Sequence, residues 1–168
     1  MRCLYVLRHA KSDWADSSLR DFDRPLNDRG RKAARTIGKE LRKRKIKPDL
    51  VLSSPAERAK QTLERVQDAH GAPFEVTEDR RIYLAEPDVL VDLVQSAPDE
   101  AKRLMIVGHN PGLQELVLAL ATPGELRDEA AEKFPTAALA EIRFEAKSWR
   151  DIAPGKGLLE MLLRPRDL

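Results

Sequence analysis

Short apolar runs alternate with amphipathic segments along the chain, and this alternation predicts the order of its elements. Three runs are apolar without interruption, as is typical of strands buried on both faces: 3–7, 50–52 and 104–107. A shorter strand is predicted at 74–77, and two more at 138–144 and 158–163. Apolar residues recur at helical spacing in the intervening segments, which begin near Asn27, Pro55, Pro87 and Asn110.

The predicted fold class is α/β, a three-layer α/β/α sandwich with a mostly parallel sheet. Strands that alternate with helices favour a parallel sheet covered on both faces. Asn27 or Asp28 is expected to cap the first helix. The Ser54-Pro55-Ala56-Glu57 segment has a capping-box pattern that places Pro55 at the first helical position. In such sheets, binding sites form at the carboxyl ends of the strands.

Length and charge restrict the classes of protein to consider. The 168 residues fit one domain, 1–168. Thirty basic and 28 acidic residues leave a formal net charge of +2, which is too small for a general nucleic-acid surface, so no nucleic acid is expected as a partner. The densest basic run, 42–45, is interpreted as the end of a helix.

The expected location is cytoplasmic. Cys3 is the only cysteine, so the chain cannot form an internal disulfide, which is compatible with a reducing compartment. The first apolar run, 3–7, is too short for a signal peptide or a membrane span, so no membrane is expected as a partner. Without a heptad pattern, a monomer is the expectation.

Basic and imidazole side chains cluster where the predicted strands end. Arg8 and His9 follow the first strand, Ser53 and Ser54 follow the second, and His109 follows the strand at 104–107. Arg58 falls in the first turns of the next helix, so its guanidinium can reach the same edge of the sheet. Two guanidiniums suit the oxygens of a phosphoryl group, and a neutral imidazole can attack phosphorus. The sequence therefore predicts a phosphate site.

Other chemistries find no support in the sequence. It has no zinc motif, dinucleotide fingerprint, P-loop or G-x-S-x-G segment. No metal and no cofactor are therefore expected. His70 lies beside Gly71 without charged neighbours and is interpreted as a structural histidine.

Three motifs in order resemble the histidine phosphatase superfamily, also called phosphoglycerate mutase-like. They are Leu7-Arg8-His9-Ala10-Lys11-Ser12, then the segment Leu52 to Thr62 with its Ser53-Ser54-Pro55 and Arg58, and then Val107-Gly108-His109-Asn110. The resemblance runs from about Leu4 to Leu120. Within the superfamily, the short length and the segment from Arg8 to Trp14 are most similar to the SixA-type phosphohistidine phosphatases.

The resemblance implies a phosphatase that forms a phosphohistidine intermediate on His9. It implies that Arg8, Arg58 and His109 complete the phosphate pocket. His9 must be neutral at its attacking nitrogen, so a backbone carbonyl is expected to fix its tautomer. Ser12 either adds a hydroxyl to the pocket or makes a local loop hydrogen bond.

Two positions depart from the family pattern. Ala10 stands where the family usually has glycine, which puts in doubt any requirement for a positive φ at this position. Asn110 stands where acid-phosphatase members have an aspartate, so the proton donor is open. Glu86 is the candidate general acid, with Asp13 second and helix capping as the alternative role for Glu86.

A site whose general acid is weak or missing favours a leaving group that is easily protonated. The expected substrate is therefore phosphohistidine in a protein. A phosphatase of small phosphorylated metabolites is the first alternative, and a noncatalytic phosphate-binding module is the second. A mutase is disfavoured because the chain is short. Trp14 and Phe22 are expected to pin the loop at 11–25 to the core; their exposure would favour a protein substrate.

Overall fold

A six-stranded sheet forms the centre of the protein, whose computed structural model describes residues 1–168. Its strands are β1 (Arg2–Arg8), β2 (Leu50–Ser53), β3 (Val76–Glu78), β4 (Arg103–Gly108), β5 (Leu139–Phe144) and β6 (Leu158–Leu163). They lie in the order β3-β2-β4-β1-β5-β6. The first four in this order are parallel, and β5 pairs antiparallel with both β1 and β6, so it alone runs in the opposite direction. The prediction of a mostly parallel sheet is confirmed.

Five helices cover the two faces of the sheet: α1 (Asp28–Lys43), α2 (Glu57–His70), α3 (Pro87–Gln95), α4 (Gly112–Leu120) and α5 (Glu125–Glu132). One apolar core packs α1 and α2 against one face, and a second packs α3 and α4 against the other. Leu4 and Val6 of β1 point into one core while Tyr5 and Leu7 point into the other, as expected for a strand with two buried faces. The three-layer prediction is therefore confirmed.

The second core also holds Trp149, which is fully buried and donates its indole N–H to the carbonyl of Ala101 at 2.6 Å. No helix in the structure combines the length and the apolar character needed to cross a membrane.

The helix starts agree only in part with the sequence predictions. Asn27 caps α1, because its side-chain oxygen accepts the N–H of Gly30 at 2.8 Å. The capping-box prediction for Ser54 is wrong: α2 begins at Glu57, and Pro55 lies outside it. Instead, the Ser54 hydroxyl accepts the N–H of Ala56 at 3.2 Å, which closes a tight turn before the helix.

Two other elements differ from the prediction. The short strand begins at Val76 rather than Phe74, because the Phe74 ring packs into the core against His70 at 5.2 Å between ring centroids. His70 contacts the carbonyl of Ile46 at 2.8 Å, which fits its structural interpretation. The helix α5 was not predicted, and Ala130 is its only buried residue.

Parallel pairing brings the ends of β1, β2 and β4 to one edge of the sheet. Arg8 pairs with Gly108, and Ser53 pairs with Val107, so the three strands end side by side. The prediction that their polar successors share one edge is confirmed.

Candidate active site

His9 and His109 lie together beyond this edge. The backbone N–H of His9 donates to the carbonyl of Gly108 at 3.0 Å, which continues the β1–β4 pairing by one residue. The two imidazole centroids are 5.1 Å apart. The residues are only 7% and 4% exposed, so the imidazoles form the floor of the site.

The tautomer of His9 follows from its two polar neighbours. Its Nδ1 is 2.7 Å from the carbonyl oxygen of Ala10, which can only accept, so Nδ1 carries the proton. The Arg58 Nε–H can only donate and lies 3.4 Å from His9 Nε2. His9 Nε2 therefore presents a lone pair. Burial, together with the charges of Arg58 and Arg8, lowers the pKa of His9 to about 4, despite the opposing hydrogen bond to Ala10.

One buried hydroxyl ties the His9 loop to α2. Thr62 accepts the N–H of Ala10 at 2.9 Å and donates to the carbonyl of Arg58 at 2.7 Å. Ala10 is fully buried and has no positive φ, so alanine meets no backbone strain where the family usually has glycine. The peptide that holds His9 is thus anchored to the helix that carries Arg58.

His109 is held from the opposite side of the site. Its Nε2 lies 2.8 Å from the Ser54 hydroxyl, and its Nδ1 is buried without a partner. The Tyr83 ring packs edge-on against it, with 5.3 Å between centroids. Burial first, and then the charges of His9 and Arg58, lower the pKa of His109 to about 3. Both imidazoles are therefore neutral at pH 7 when the site is empty.

Arg8 and Asn110 share one acceptor. The Arg8 guanidinium donates to the carbonyl of Phe134 at 3.1 Å, and the Asn110 amide donates to the same oxygen at 2.9 Å. The Asn110 side-chain oxygen accepts the N–H of Gln114 at 3.3 Å in α4. Asn110 is therefore a structural amide rather than a proton donor. Burial and the charge of Arg58 lower the pKa of Arg8, whose Nε has no partner.

Asp21 and Tyr83 join the site, and sequence reasoning missed both roles. Arg58 donates to the carbonyl of Asp21 at 2.7 Å and to its carboxylate at 2.9 Å. The Tyr83 hydroxyl donates to the same carboxylate at 2.5 Å. Asp21 lies in the polar loop expected to border the site, but neither its spacing nor that of Tyr83 gave a distinct signal.

The other predicted acids lie outside this network. Glu86 is exposed at the residue before α3 and makes no capping hydrogen bond, so the alternative capping role is not seen. The Asp13 carboxylate accepts the N–H of Ala15 at 2.8 Å in a local turn. A general-acid role for Glu86 stays a prediction. Ser12 is buried and held by backbone pairing with Leu26, and its contribution to the pocket also stays a prediction.

The expectation for the loop aromatics is wrong for Trp14. Its side chain is 66% exposed and stacks under the Arg24 guanidinium, 3.9 Å from the ring centroid. Phe22 is half-buried: it packs edge-on against Tyr83 at 5.1 Å between centroids and stacks under Arg80. Phe22 therefore lies beside the site through its contact with Tyr83, whereas Trp14 leaves a large apolar surface open to solvent.

No three histidine, cysteine, aspartate or glutamate side chains are placed to hold a metal ion. The positive charge at the site instead comes from Arg8 and Arg58. Neutral imidazoles beside two guanidiniums are suited to bind an anion and to present a nitrogen lone pair to it.

Comparison with known proteins shows the family of the chain. Residues 4–82 match the family model of the histidine phosphatase superfamily, branch 1. An uncharacterized protein of Mycobacterium tuberculosis strain H37Rv is 36% identical over 95% of this chain and its own full length. A crystal structure from Agrobacterium tumefaciens, assigned as the phosphohistidine phosphatase SixA, is 31% identical with a TM-score of 0.84 and covers 98% of both chains. The chain belongs to the histidine phosphatase superfamily.

A more distant structure has the same fold. The mycobacterial glucosyl-3-phosphoglycerate phosphatase superimposes with a TM-score of 0.67 at 19% identity, covering 96% of this chain and 98% of that one. The family and the Agrobacterium structure make the protein a phosphatase, and its structural neighbours include enzymes named for phosphohistidine and for a small-molecule substrate.

Proposed function

We propose that this protein removes phosphate from phosphohistidine in a protein, through a phosphohistidine intermediate on its own His9 and without a metal. The observation that carries the proposal is the orientation of His9. The Ala10 carbonyl fixes the proton on Nδ1, and burial keeps the ring neutral, so Nε2 holds the lone pair, which faces the Arg58 Nε–H at 3.4 Å.

The reaction proceeds in two displacements. His9 Nε2 attacks phosphorus, and the bond from phosphorus to the substrate nitrogen breaks with its electron pair staying on that nitrogen. Water then attacks the phosphorylated His9, the P–N bond breaks with its pair returning to Nε2, and the water proton passes to solvent. Arg8 and Arg58 offset charge on the transferring oxygens. A bound phosphate favours protonation of His109, which then adds a donor.

Two features of the site support phosphohistidine as the substrate. No protonated carboxylic acid is positioned as a donor: Asn110 is a structural amide, Glu86 makes no contact in the network, and the Asp21 carboxylate accepts from Arg58 and Tyr83 with a lowered pKa. An imidazole leaving group needs such a donor less than an alkoxide does. In addition, the exposed Trp14 in the loop at 11–25 offers contact area to a protein partner.

A phosphatase of small metabolites is the second candidate, favoured by the likeness in fold to the glucosyl-3-phosphoglycerate phosphatase. A noncatalytic phosphate-binding module is the third, but binding alone would not require the lone pair of His9 to face the anion pocket.

The test compares the wild type with His9→Ala in the presence of a chelator. The substrates are a phosphohistidine-bearing protein, para-nitrophenyl phosphate and a panel of phosphorylated metabolites. His70→Ala serves as the matched control, because His70 lies at the far end of α2. We expect phosphohistidine to have the highest kcat/KM, with activity abolished only in His9→Ala. Preference for a metabolite would move the function to small molecules. No turnover by wild type would favour a binding module, and activity that survives in His9→Ala would reject His9 as the nucleophile.

A further inference from the structure

Asp21 is the carboxylate that belongs to the catalytic network. It accepts hydrogen bonds from Arg58 and Tyr83. Its negative charge also acts on both imidazoles and raises the pKa of His9 and His109 against the larger effects that lower them. A carboxylate this close to an anion pocket is unfavourable for phosphate binding, so its presence requires an explanation.

The position of Asp21 relative to His9 supplies the first step. His9 is 7% exposed at the floor of the site, whereas the Asp21 side chain is 44% exposed and Tyr83 is half-buried. A substrate enters from solvent, and in an in-line displacement the leaving group lies opposite the attacking nitrogen. The leaving group therefore points away from His9 and toward solvent, and Asp21 and Tyr83 are the more exposed members of the network on that path.

The charge of Asp21 supplies the second step. Partial burial raises its pKa, but the hydrogen bonds from Tyr83 and Arg58 outweigh that effect, and the net pKa is lowered. Asp21 is therefore ionised at pH 7. A carboxylate stabilises a cationic group and repels one that develops negative charge. A phosphorylated imidazole that is protonated on its other nitrogen is such a cation, whereas a phosphate ester releases an oxygen anion.

We propose that Asp21 selects the leaving group by charge, favouring a protonated phosphoimidazole over a phosphate ester. The Asp21 carboxylate accepts the N–H of the substrate ring. As the P–N bond breaks, its electron pair stays on the ring nitrogen, and the ring departs as neutral imidazole without a further proton. With an ester, the same carboxylate faces the departing oxygen anion and slows its release. This inference rests on the proposed function, because it assigns the substrate class of the same site.

A purely positional role for Asp21 makes a different prediction. Asp21 also holds the Arg58 guanidinium by two hydrogen bonds, so removing its charge could displace Arg58. Arg58 contacts the transferring phosphoryl group, which every substrate has in common. Displacing it would lower the activity on all substrates by the same factor, whereas selection by charge changes the ratio between them.

The experiment measures kcat/KM for a phosphohistidine peptide and for para-nitrophenyl phosphate, and takes their ratio. Asp21→Asn removes the charge but keeps the side-chain shape. Asp23→Asn is the matched control, since Asp23 lies in the same turn but pairs with the exposed Arg20. We expect the ratio to fall about tenfold in Asp21→Asn, the effect of one charge-assisted hydrogen bond. It should stay within twofold of wild type in Asp23→Asn.

An unchanged ratio in Asp21→Asn overturns the inference. If both kcat/KM values fall by the same factor, Asp21 is a positioning residue for Arg58. If the variant is too slow to give a ratio, Tyr83→Phe decides. This variant keeps the Asp21 carboxylate but removes the hydroxyl that donates a hydrogen bond to it. The carboxylate is then less stabilised and interacts more strongly with the substrate ring, so the ratio should rise two- to threefold. A ratio equal to that of wild type overturns the inference. The wild-type measurements separately test the proposed function. If the wild-type protein does not hydrolyse the phosphohistidine peptide, phosphohistidine is rejected as the substrate before any variant is compared.

Discussion

Replacing Thr62 by valine removes one hydroxyl and almost no volume from the centre of the site. Thr62 is fully buried, and its hydroxyl joins the N–H of Ala10 to the carbonyl of Arg58. In the variant, the buried N–H of Ala10 loses its acceptor. Leaving a buried donor unpaired costs about 1–3 kcal/mol.

The loss should appear in both stability and turnover. For a domain of this size, about 2 kcal/mol lowers Tm by roughly 4–8 °C. The same peptide supplies the carbonyl that orients His9 Nδ1, so a freer Ala10 loosens the nucleophile. We expect kcat for para-nitrophenyl phosphate to fall about tenfold with a smaller change in KM, because misplacement affects attack more than binding.

The assay pairs thermal and urea unfolding with steady-state kinetics, and Thr36→Val is the control. Thr36 has the same kind of bond, from its hydroxyl to the carbonyl of Lys32 at 3.1 Å, but on the exposed part of α1. That substitution should change stability by less than about 0.5 kcal/mol. If Thr62→Val is as stable and as active as Thr36→Val, the hydroxyl does not anchor the His9 loop and the reasoning is refuted.

Two further predictions concern pH and the family's aspartate position. His9 has a pKa near 6.5 in the unfolded chain and about 4 in the folded protein. Between pH 6.5 and pH 4 the unfolded chain therefore binds a proton that the folded protein does not, so the free energy of unfolding decreases as the pH falls below about 6.5. Between pH 7 and pH 4.5, urea unfolding should show wild type losing about 2 kcal/mol more than His9→Gln, and equal losses would contradict a buried neutral His9. Asn110→Asp should lower the free energy of unfolding at pH 7 by about 2 kcal/mol, because a carboxylate would face the Phe134 carbonyl to which the amide donates. It should not speed the hydrolysis of phosphoserine, and a gain there would show that the position can serve as an acid.

The elements with buried apolar faces could be predicted from the sequence. The runs at 3–7 and 104–107 are apolar on both faces because each face of the sheet has its own core. By contrast, α5 buries only Ala130, so its pattern has no apolar stripe to detect. The start of α2 was misplaced because Ser54 has a second partner: its hydroxyl contacts His109, which no local pattern reveals.

The floor of the site could be predicted for a similar reason. Arg8 ends β1, and His9 and His109 directly follow β1 and β4, so the sheet sets their positions. Asp21 and Tyr83 lie on loops far apart in the sequence. The Asp21 carboxylate joins them by accepting hydrogen bonds from both Tyr83 and Arg58, and no local pattern reveals this contact. Trp14 was assigned to the core by its size, but the Arg24 guanidinium covers one face of the ring and the rest stays in water.

The two tryptophans give the protein a pair of built-in optical reporters. Trp149 is fully enclosed, so its emission should be blue-shifted and insensitive to a soluble quencher such as iodide until the protein unfolds. Trp14 is open to water in the loop at 11–25, so its emission should be red-shifted and readily quenched. Iodide quenching can therefore record whether a docked protein covers Trp14, while the shielded emission of Trp149 follows the integrity of the core in the same sample.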